Sequence, residues 1–256
     1  MSQQVKVQRE LEFSAGANST GNISGLPSFK NKVVYYDDFV GKEIDSTNDY
    51  TEAGVNSGAA SVTVPHMLTL TTGAADDDDI DLAMGVEWYP NLNAVMEARF
   101  RIDDVDKTAI NIGFSDATGE AADTIAMMYS GTTLTSTASN FAGFLADADA
   151  TTKTLYGVSV NANADGSVIN SASTPTDAKM YTVRVELRDN GTTVDALFYV
   201  NTSGLEINPG EDLIGIEAAA VARTTALCPY IALINHGEAA ANTLDVDYIK
   251  VWQDRQ

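Results

Sequence analysis

The sequence is poor in the residues that staple a chain, ligate metals and bind anions. Its 256 residues include one cysteine, Cys228, and two histidines, His66 and His236. A single thiol excludes an intramolecular disulfide and, with it, a secreted disulfide framework. The two histidines lie far apart and fit neither a zinc-binding spacing nor a nucleophile–histidine pairing, so both read as ordinary structural residues. Cys228 precedes Pro229 in an apolar context and reads as a small buried hydrophobe. Cations are scarce as well: 15 Lys and Arg stand against 36 Asp and Glu, a formal net charge of −21. Such a surface repels phosphate backbones and anionic headgroups, so neither a nucleic acid nor a membrane is an expected partner. No run of about 18 apolar residues is present to cross a bilayer as a helix. The glycines are scattered among turns without the Lys-Ser/Thr that completes a phosphate loop, which argues against a nucleotide enzyme. The first ten residues, Met1 to Glu10, contain no apolar stretch of the kind a secretory signal carries, so synthesis in a cytoplasm is expected.

What the chain does have points to β structure. Hydrophobic residues make up 44%, enough for a folded core, and the length suits a single large sandwich. The 36 acids divide into 24 Asp and 12 Glu. Asp favours turns where Glu favours helices, so the bias is towards short strands joined by tight loops.

The N-terminal part reads as a separate unit. Val5, Val7, Leu11 and Phe13 alternate with Lys6, Gln8, Glu10 and Glu12, the pattern of a strand with one apolar face. Residues 14–32 follow with Gly16, Gly21, Gly25 and Pro27 among small polar residues, a linker composition. A lone amphipathic strand on a flexible tether needs a sheet edge to join, either its own domain's or a neighbour's. The expected organisation is an arm over residues 1–13, a linker over 14–32 and one domain over 33–256. Residues 1–36 hold Lys6, Arg9, Lys30 and Lys32 against Glu10 and Glu12, net +2, which leaves −23 for the rest. The arm therefore suits an acidic neighbour.

From Val33 onward strand signals recur at short intervals. Val62–Thr71 reads as a strand kinked at Pro65, and in Ala94–Ile102 the residues Met96, Ala98, Phe100 and Ile102 alternate with Val95, Glu97, Arg99 and Arg101. Ile110–Phe114 and Thr154–Val160 are short apolar candidates, and Tyr181–Leu187 alternates cleanly. Asn190-Gly191, residues that tolerate positive φ, supplies a hairpin turn from which Thr193–Val200 returns. Tyr230–Ile234 and Leu244–Trp252 close the chain as two more strands, while the Ala-rich Ile216–Ala226 is the one candidate short helix. Many short strands without alternating helices predict an all-β, antiparallel two-sheet β-sandwich of jelly-roll type, preceded by an N-terminal extended arm.

Taken in order, several of these segments resemble the concanavalin A-like lectin/glucanase superfamily. They are Tyr35-Tyr36-Asp37-Asp38-Phe39, Leu68 to Gly73, Met96 to Phe100, Ile112 to Asp116, Tyr181 to Leu187 and the terminal Leu244 to Trp252. The resemblance spans Val33 to Arg255 and implies a jelly roll. Within that superfamily the Thr- and Asp-rich texture, as in Phe144 to Thr152, resembles structural proteins of tailed-phage virions, which implies placement on a particle rather than chemistry.

Candidate chemistry is thin. Laminarinase-like members of the superfamily carry Glu-x-Asp-x-x-Glu, because retaining hydrolysis needs two carboxyls about 5–5.5 Å apart. Here the one Glu-x-Asp, Glu43-Ile44-Asp45, is followed by Ser46, Thr47 and Asn48, so the second glutamate is missing. Asp76 to Asp79, with Asp81 beyond, could offer oxygens to Ca²⁺ but lacks the Asp-x-Asp-x-Asp-Gly pattern, and a solvated acidic loop is the preferred reading. Trp88-Tyr89-Pro90 is the segment from which a sugar-stacking platform would be made, though packing in the sandwich is preferred. No catalytic residue, cofactor or metal is therefore expected. The expected function is a non-enzymatic capsid decoration or cement protein on a phage head, assembled in the bacterial cytoplasm. Its expected partners are the major capsid protein or another virion protein and further copies of itself, a trimer being one arrangement. Val5, Val7, Leu11 and Phe13 are the expected interface residues. The alternative is a lectin-like module that binds a glycan.

Overall fold

The computed structural model describes residues 32–255 except 42, 47–48, 55–57, 64–65, 86 and 238–239. Val5, Val7, Leu11 and Phe13 lie outside the described residues.

Two large antiparallel sheets pack face to face. Sheet A runs in the order β16 (Leu213–Val221), β15 (Val194–Asn201), β14 (Tyr181–Asp189), β6 (Val95–Ile102), β18 (Thr243–Asp254), β4 (Met67–Thr71) and β3 (Ala59–Thr63). β1 (Lys32–Asp37) also joins β18. Sheet B runs β12 (Ala164–Asp165), β11 (Tyr156–Asn161), β10 (Phe141–Asp147), β7 (Thr108–Ser115), β17 (Cys228–Asn235), β5 (Asp79–Met84) and β2 (Tyr50–Gly54), with β13 (Ile169–Asn170) paired to β11. A separate hairpin, β8 (Met127–Ser130) and β9 (Thr133–Ser136), completes the set.

Period-two alternation builds sheet A. Along β14, Tyr181, Val183, Val185 and Leu187 enter the core, while Arg184 and Glu186 face outward. β18 is long enough to serve three neighbours. β6 flanks one side, and the other is shared by β4, against Thr243–Val246, and β1, against Ile249–Asp254. A bulge between Val246 and Tyr248 accommodates the extra residue Asp247 and resets the alternation. Leu244 and Val246 point inward before it and Ile249 and Val251 after it, so Tyr248 faces out despite an even spacing from Val246.

The core between the sheets is aromatic at its centre. Phe144 of β10 and Phe198 of β15, both fully buried, meet edge to face with ring centroids 5.7 Å apart and join the two layers. Gly157 lies beneath the Phe198 ring, where a Cβ would sit 2.5 Å from its Cγ, so this position of β11 has no room for a side chain.

Sheet B has a second core on its other side. Phe141, Leu145, Val158, Val160, Tyr230, Ala232 and Ile234 turn away from sheet A, and Ile125, Ala126 and Met127 cover them. Both faces of β7, β10 and β17 are therefore buried along their whole lengths. The near-continuous apolar runs Ala109–Phe114 and Tyr230–Ile234 reflect that double burial.

Four local expectations are corrected. Val62–Thr71 is not one kinked strand: β3 and β4 form a hairpin, with His66 at φ 67 and its N–H on the Thr63 carbonyl at 2.7 Å. Ile216–Ala226 is not a helix. Its first half is the end of β16, because pairing with β15 and burial of Ala220 and Val221 override alanine's helix preference. The Asn190-Gly191 hairpin forms as expected, but through a four-residue loop closed by the pair Asp189↔Val194, and of the two residues Gly191 takes positive φ. Asn190 instead accepts the N–H groups of Thr192 and Thr193 on its side-chain oxygen. Finally, the acidic run is a solvated loop only in its first half: Asp76 and Asp77 are exposed, whereas Asp78, Asp79 and Asp81 are 2%, 2% and 0% exposed.

Candidate functional site

An open sheet face is the natural place for a ligand, and sheet B does not offer one. Residues 116–138, including the β8–β9 hairpin, lie across it and are fastened by polar contacts as well as apolar ones. Asn111 of β7, fully buried, donates to the Met127 carbonyl at 3.0 Å and accepts its N–H at 2.8 Å. Asp147 at the end of β10 accepts the Tyr129 N–H at 2.7 Å, and the Tyr129 ring packs against Tyr156 with centroids 5.2 Å apart and planes tilted by 50°.

Carboxyls on this covered face are sealed in. Asp81 accepts the Tyr230 hydroxyl at 2.6 Å and the Glu120 N–H at 2.8 Å. Burial pushes its pKa up to about 7 against these hydrogen bonds, and burial also raises Glu120. A carboxyl protonated near neutrality is what a general acid requires. Asp81 is fully buried, however, so a sugar has no approach to it. Among the described residues no pair of carboxyls faces an open groove on sheet B in the manner retaining hydrolysis needs.

The outward face of sheet A carries a polar network rather than a cleft. Glu97, 3% exposed, accepts the Tyr248 hydroxyl at 2.9 Å and Arg184 Nε at 2.7 Å. The Arg184 guanidinium and the Lys250 ammonium both approach the Trp252 indole, 5.5 and 5.2 Å from the ring centroid. Burial raises the Tyr248 hydroxyl pKa, helped by Glu97, and burial lowers that of Lys250. Arg99–Asp247 at 2.7 Å and Arg101–Asp245 at 2.8 Å continue the ladder towards the other end of the sheet.

An open groove of about 530 Å³ lies at the edge where β1 and the end of β18 meet the turn Pro90–Leu92. Val33, Glu87, Tyr89, Leu92, Gln253, Asp254 and Arg255 line it. Its walls are fixed: the Tyr89 N–H donates to Gln253 Oε1 at 2.8 Å, Gln253 Nε2 to the Glu87 carbonyl at 3.2 Å, and Asp254 holds Lys32 at 2.5 Å and Asn93 at 2.7 Å. One half-buried aromatic ring among acids, an amide and a guanidinium is a surface able to stack and hydrogen-bond a sugar.

A fourth cluster gathers at the end of sheet B. His236, directly after β17, has Nε2 3.3 Å from Asp147 Oδ1 and Nδ1 3.5 Å from Asp77 Oδ1 and 4.0 Å from Asp149 Oδ2. Burial lowers the imidazole pKa, but the surrounding carboxylates outweigh it and hold the pKa above its ordinary value. His236 is thus accompanied in space, contrary to its isolation in the sequence. Asp77 and Asp147 stand 159 and 89 positions away, so no local spacing could have announced the cluster.

Other singled-out residues fall as follows. Trp88 and Pro90 are buried and only Tyr89 reaches the groove, so the three do not form a platform. Cys228 is fully buried, its thiol 3.1 Å from the Ala117 carbonyl, and burial pushes its pKa up to about 12. His66 is exposed at the β3–β4 turn.

No protein-family model matches this sequence, and no curated protein matches it. Solved structures do match in fold. The carbohydrate recognition domain of Emp47p is similar with a TM-score of 0.58 at 11% identity, covering 89% of this chain and 99% of that one. An endo-1,3-β-glucanase from Streptomyces sioyaensis gives 0.56 at 10% identity over 89% and 98% of the two chains. SCLam, a non-specific endo-β-1,3(4)-glucanase from family GH16, gives 0.55 at 11% over 88% and 92%. Recognition domains and hydrolases stand side by side at these identities, so the likeness is one of architecture: the chain has the concanavalin A-like jelly-roll fold.

Proposed function

We propose that this protein is a non-enzymatic structural module, and more specifically a head-decoration protein on the outside of a tailed-phage capsid. The observation that carries the non-enzymatic reading is the closure of sheet B by residues 116–138, with Asp79, Asp81 and Asp147 of its strands buried. The finer assignment is supported by the resemblance of the Thr- and Asp-rich sequence to virion proteins and by a mildly basic N-terminal segment on a strongly acidic body. In this reading Val5, Val7, Leu11 and Phe13 bury one apolar face against the major capsid protein, another virion protein or a further copy of the chain, with backbone hydrogen bonds added at a sheet edge. Repetition over many copies turns a modest contact into durable attachment. The test is cosedimentation of the full chain, and of a chain lacking residues 1–28, with capsids of the phage that encodes it. Saturable binding that weakens on truncation is expected. Failure of the full chain to bind capsids refutes the assignment, and unchanged binding after truncation removes the arm from the mechanism.

A second reading, a carbohydrate-binding module, is favoured by the Tyr89 groove. Saturable binding on a glycan array that is lost on Tyr89→Ala, with the fold retained, would support it. Absence of binding to any glycan, or binding indifferent to Tyr89→Ala, would remove it.

A further inference from the structure

Four carboxylates and one imidazole converge at the end of sheet B. Asp76 and Asp77 belong to the turn before β5, and Asp147 and Asp149 lie at and just beyond the end of β10. The Asp77 N–H donates to the Asn235 carbonyl at 2.7 Å and the Asn235 N–H to the Asp78 carbonyl at 2.9 Å, which fixes the turn beside His236. One ligand atom each from Asp76, Asp77 and His236 lies within 4.8 Å of the others. The imidazole itself is 8% exposed, and its buried Nε2 makes no well-aligned hydrogen bond, although Asp147 Oδ1 is 3.3 Å away. Neighbouring ammonium groups are engaged elsewhere, Lys107 with Asp104 at 2.9 Å and Lys153 with Asp106 at 2.8 Å.

We infer that Asp76, Asp77 and His236 form a binding site for a divalent first-row transition ion, with Asp147 as the outer carboxylate that orients the imidazole. A mixed nitrogen and oxygen donor set selects such an ion, Zn²⁺ foremost, over Ca²⁺ or Mg²⁺, which take oxygen donors. A histidine that binds metal through one ring nitrogen characteristically presents its other N–H to a carboxylate. Here Nε2 faces Asp147 and Nδ1 faces Asp77. Asp147 is in turn held by two backbone N–H groups, from Tyr129 at 2.7 Å and Asp149 at 2.9 Å. Tetrahedral bonds of about 2.0–2.1 Å place ligand atoms roughly 3.3 Å apart. Asp77 Oδ1 and Nδ1 are already 3.5 Å apart, and the side chains of Asp76 and Asp77, both exposed, are able to close the rest. Asp149, 4.0 Å from Nδ1, stands where a fourth ligand or a water would complete the set. The site depends on neither the capsid nor the glycan reading.

The experiment is calorimetric titration of the untagged, chelator-treated full chain with ZnCl₂ and, separately, CaCl₂, alongside the absorption spectrum of the Co²⁺-loaded protein. One saturable Zn²⁺ site is expected, bound at least about tenfold more tightly than Ca²⁺. Asp76→Asn and His236→Gln should each weaken Zn²⁺ binding by about tenfold or more, and Asp147→Asn by about 10- to 100-fold through loss of orientation. The visible Co²⁺ bands should change on His236→Gln. Asp76 is exposed, so Asp76→Asn keeps the test decisive even if the histidine variant fails to fold. The inference is overturned if Zn²⁺ does not saturate below about 1 mM, if Ca²⁺ binds as tightly, or if Asp76→Asn binds as the parent does.

Discussion

Asn111→Ala tests whether the covering of sheet B is an integral part of the fold. Asn111 is fully buried and meets the Met127 backbone through both polar atoms of its amide, at 3.0 and 2.8 Å. Alanine leaves the Met127 N–H and carbonyl without these partners in a buried position. Each orphaned group costs about 1–3 kcal/mol, so the variant should lose roughly 2–6 kcal/mol. At about 2–4 °C per kcal/mol for a domain of this size, the melting temperature should fall by about 4–24 °C. Urea unfolding followed through Trp88 and Trp252 gives the stability. Hydrogen exchange with mass spectrometry gives its location, because residues 116–138 should exchange faster in the variant while β14 stays protected until global unfolding. A loss below about 0.5 kcal/mol, or unchanged exchange over residues 116–138, would refute the reasoning that this amide fastens the cover. The covered face would then have to be treated as an openable site.

Three further outcomes follow from other contacts. Burial pushes Asp81 up to about 7 from 3.8, so the folded chain keeps a proton that the unfolded chain has already released. Stability should fall as the pH rises from about 4 to 7 and then level off, by on the order of 4 kcal/mol from this group, and Asp81→Asn should flatten that slope in urea midpoints measured from pH 4 to 8; an identical slope in the variant would contradict it. Glu97→Ala strips part-buried Arg184 and Tyr248 of a shared buried acceptor and should cost about 3–5 kcal/mol in equilibrium unfolding, whereas a cost under about 1 kcal/mol would show the network to be dispensable. Gly157→Ala forces a methyl against the Phe198 ring and should cost about 1–3 kcal/mol in the same measurement; a neutral result would mean that the ring moves aside freely.

The sequence made the architecture legible wherever one face of a strand is wet. β14 and β15 announce themselves through alternation and the Asn190-Gly191 turn, and β6 through Met96, Ala98, Phe100 and Ile102. Legibility failed where tertiary packing sets the pattern. β16 hides behind alanines that favour a helix in isolation, and β5 behind aspartates that look solvent-exposed but are buried by the cover and by Tyr230. The cover itself had a signal: Ala109–Phe114 and Tyr230–Ile234 lack polar residues at most alternate positions, as strands buried on both faces do. The His236 cluster had none, because its members are drawn from three distant segments and only the fold brings them together. Tyr89 was singled out together with Trp88, and what the sequence could not convey is that the bridge from Trp88 to Leu227 draws the larger ring inward and leaves the smaller one at the groove.

The pairing of β1 with the last half of β18 bears on how the protein is made. Lys32 lies opposite Asp254 and Asp37 opposite Ile249, so the earliest described strand finds its mate only after all the other described strands have been made. β4 and β6 wait for that same mate, which sits at the middle of sheet A. Closing loops of this length is slow, and until it happens the nascent chain exposes sheet edges that invite aggregation. Yield in a heterologous host should therefore respond to chaperone supply and growth temperature more than to codon choice. Truncation ahead of β18 should give an insoluble product rather than a shortened domain.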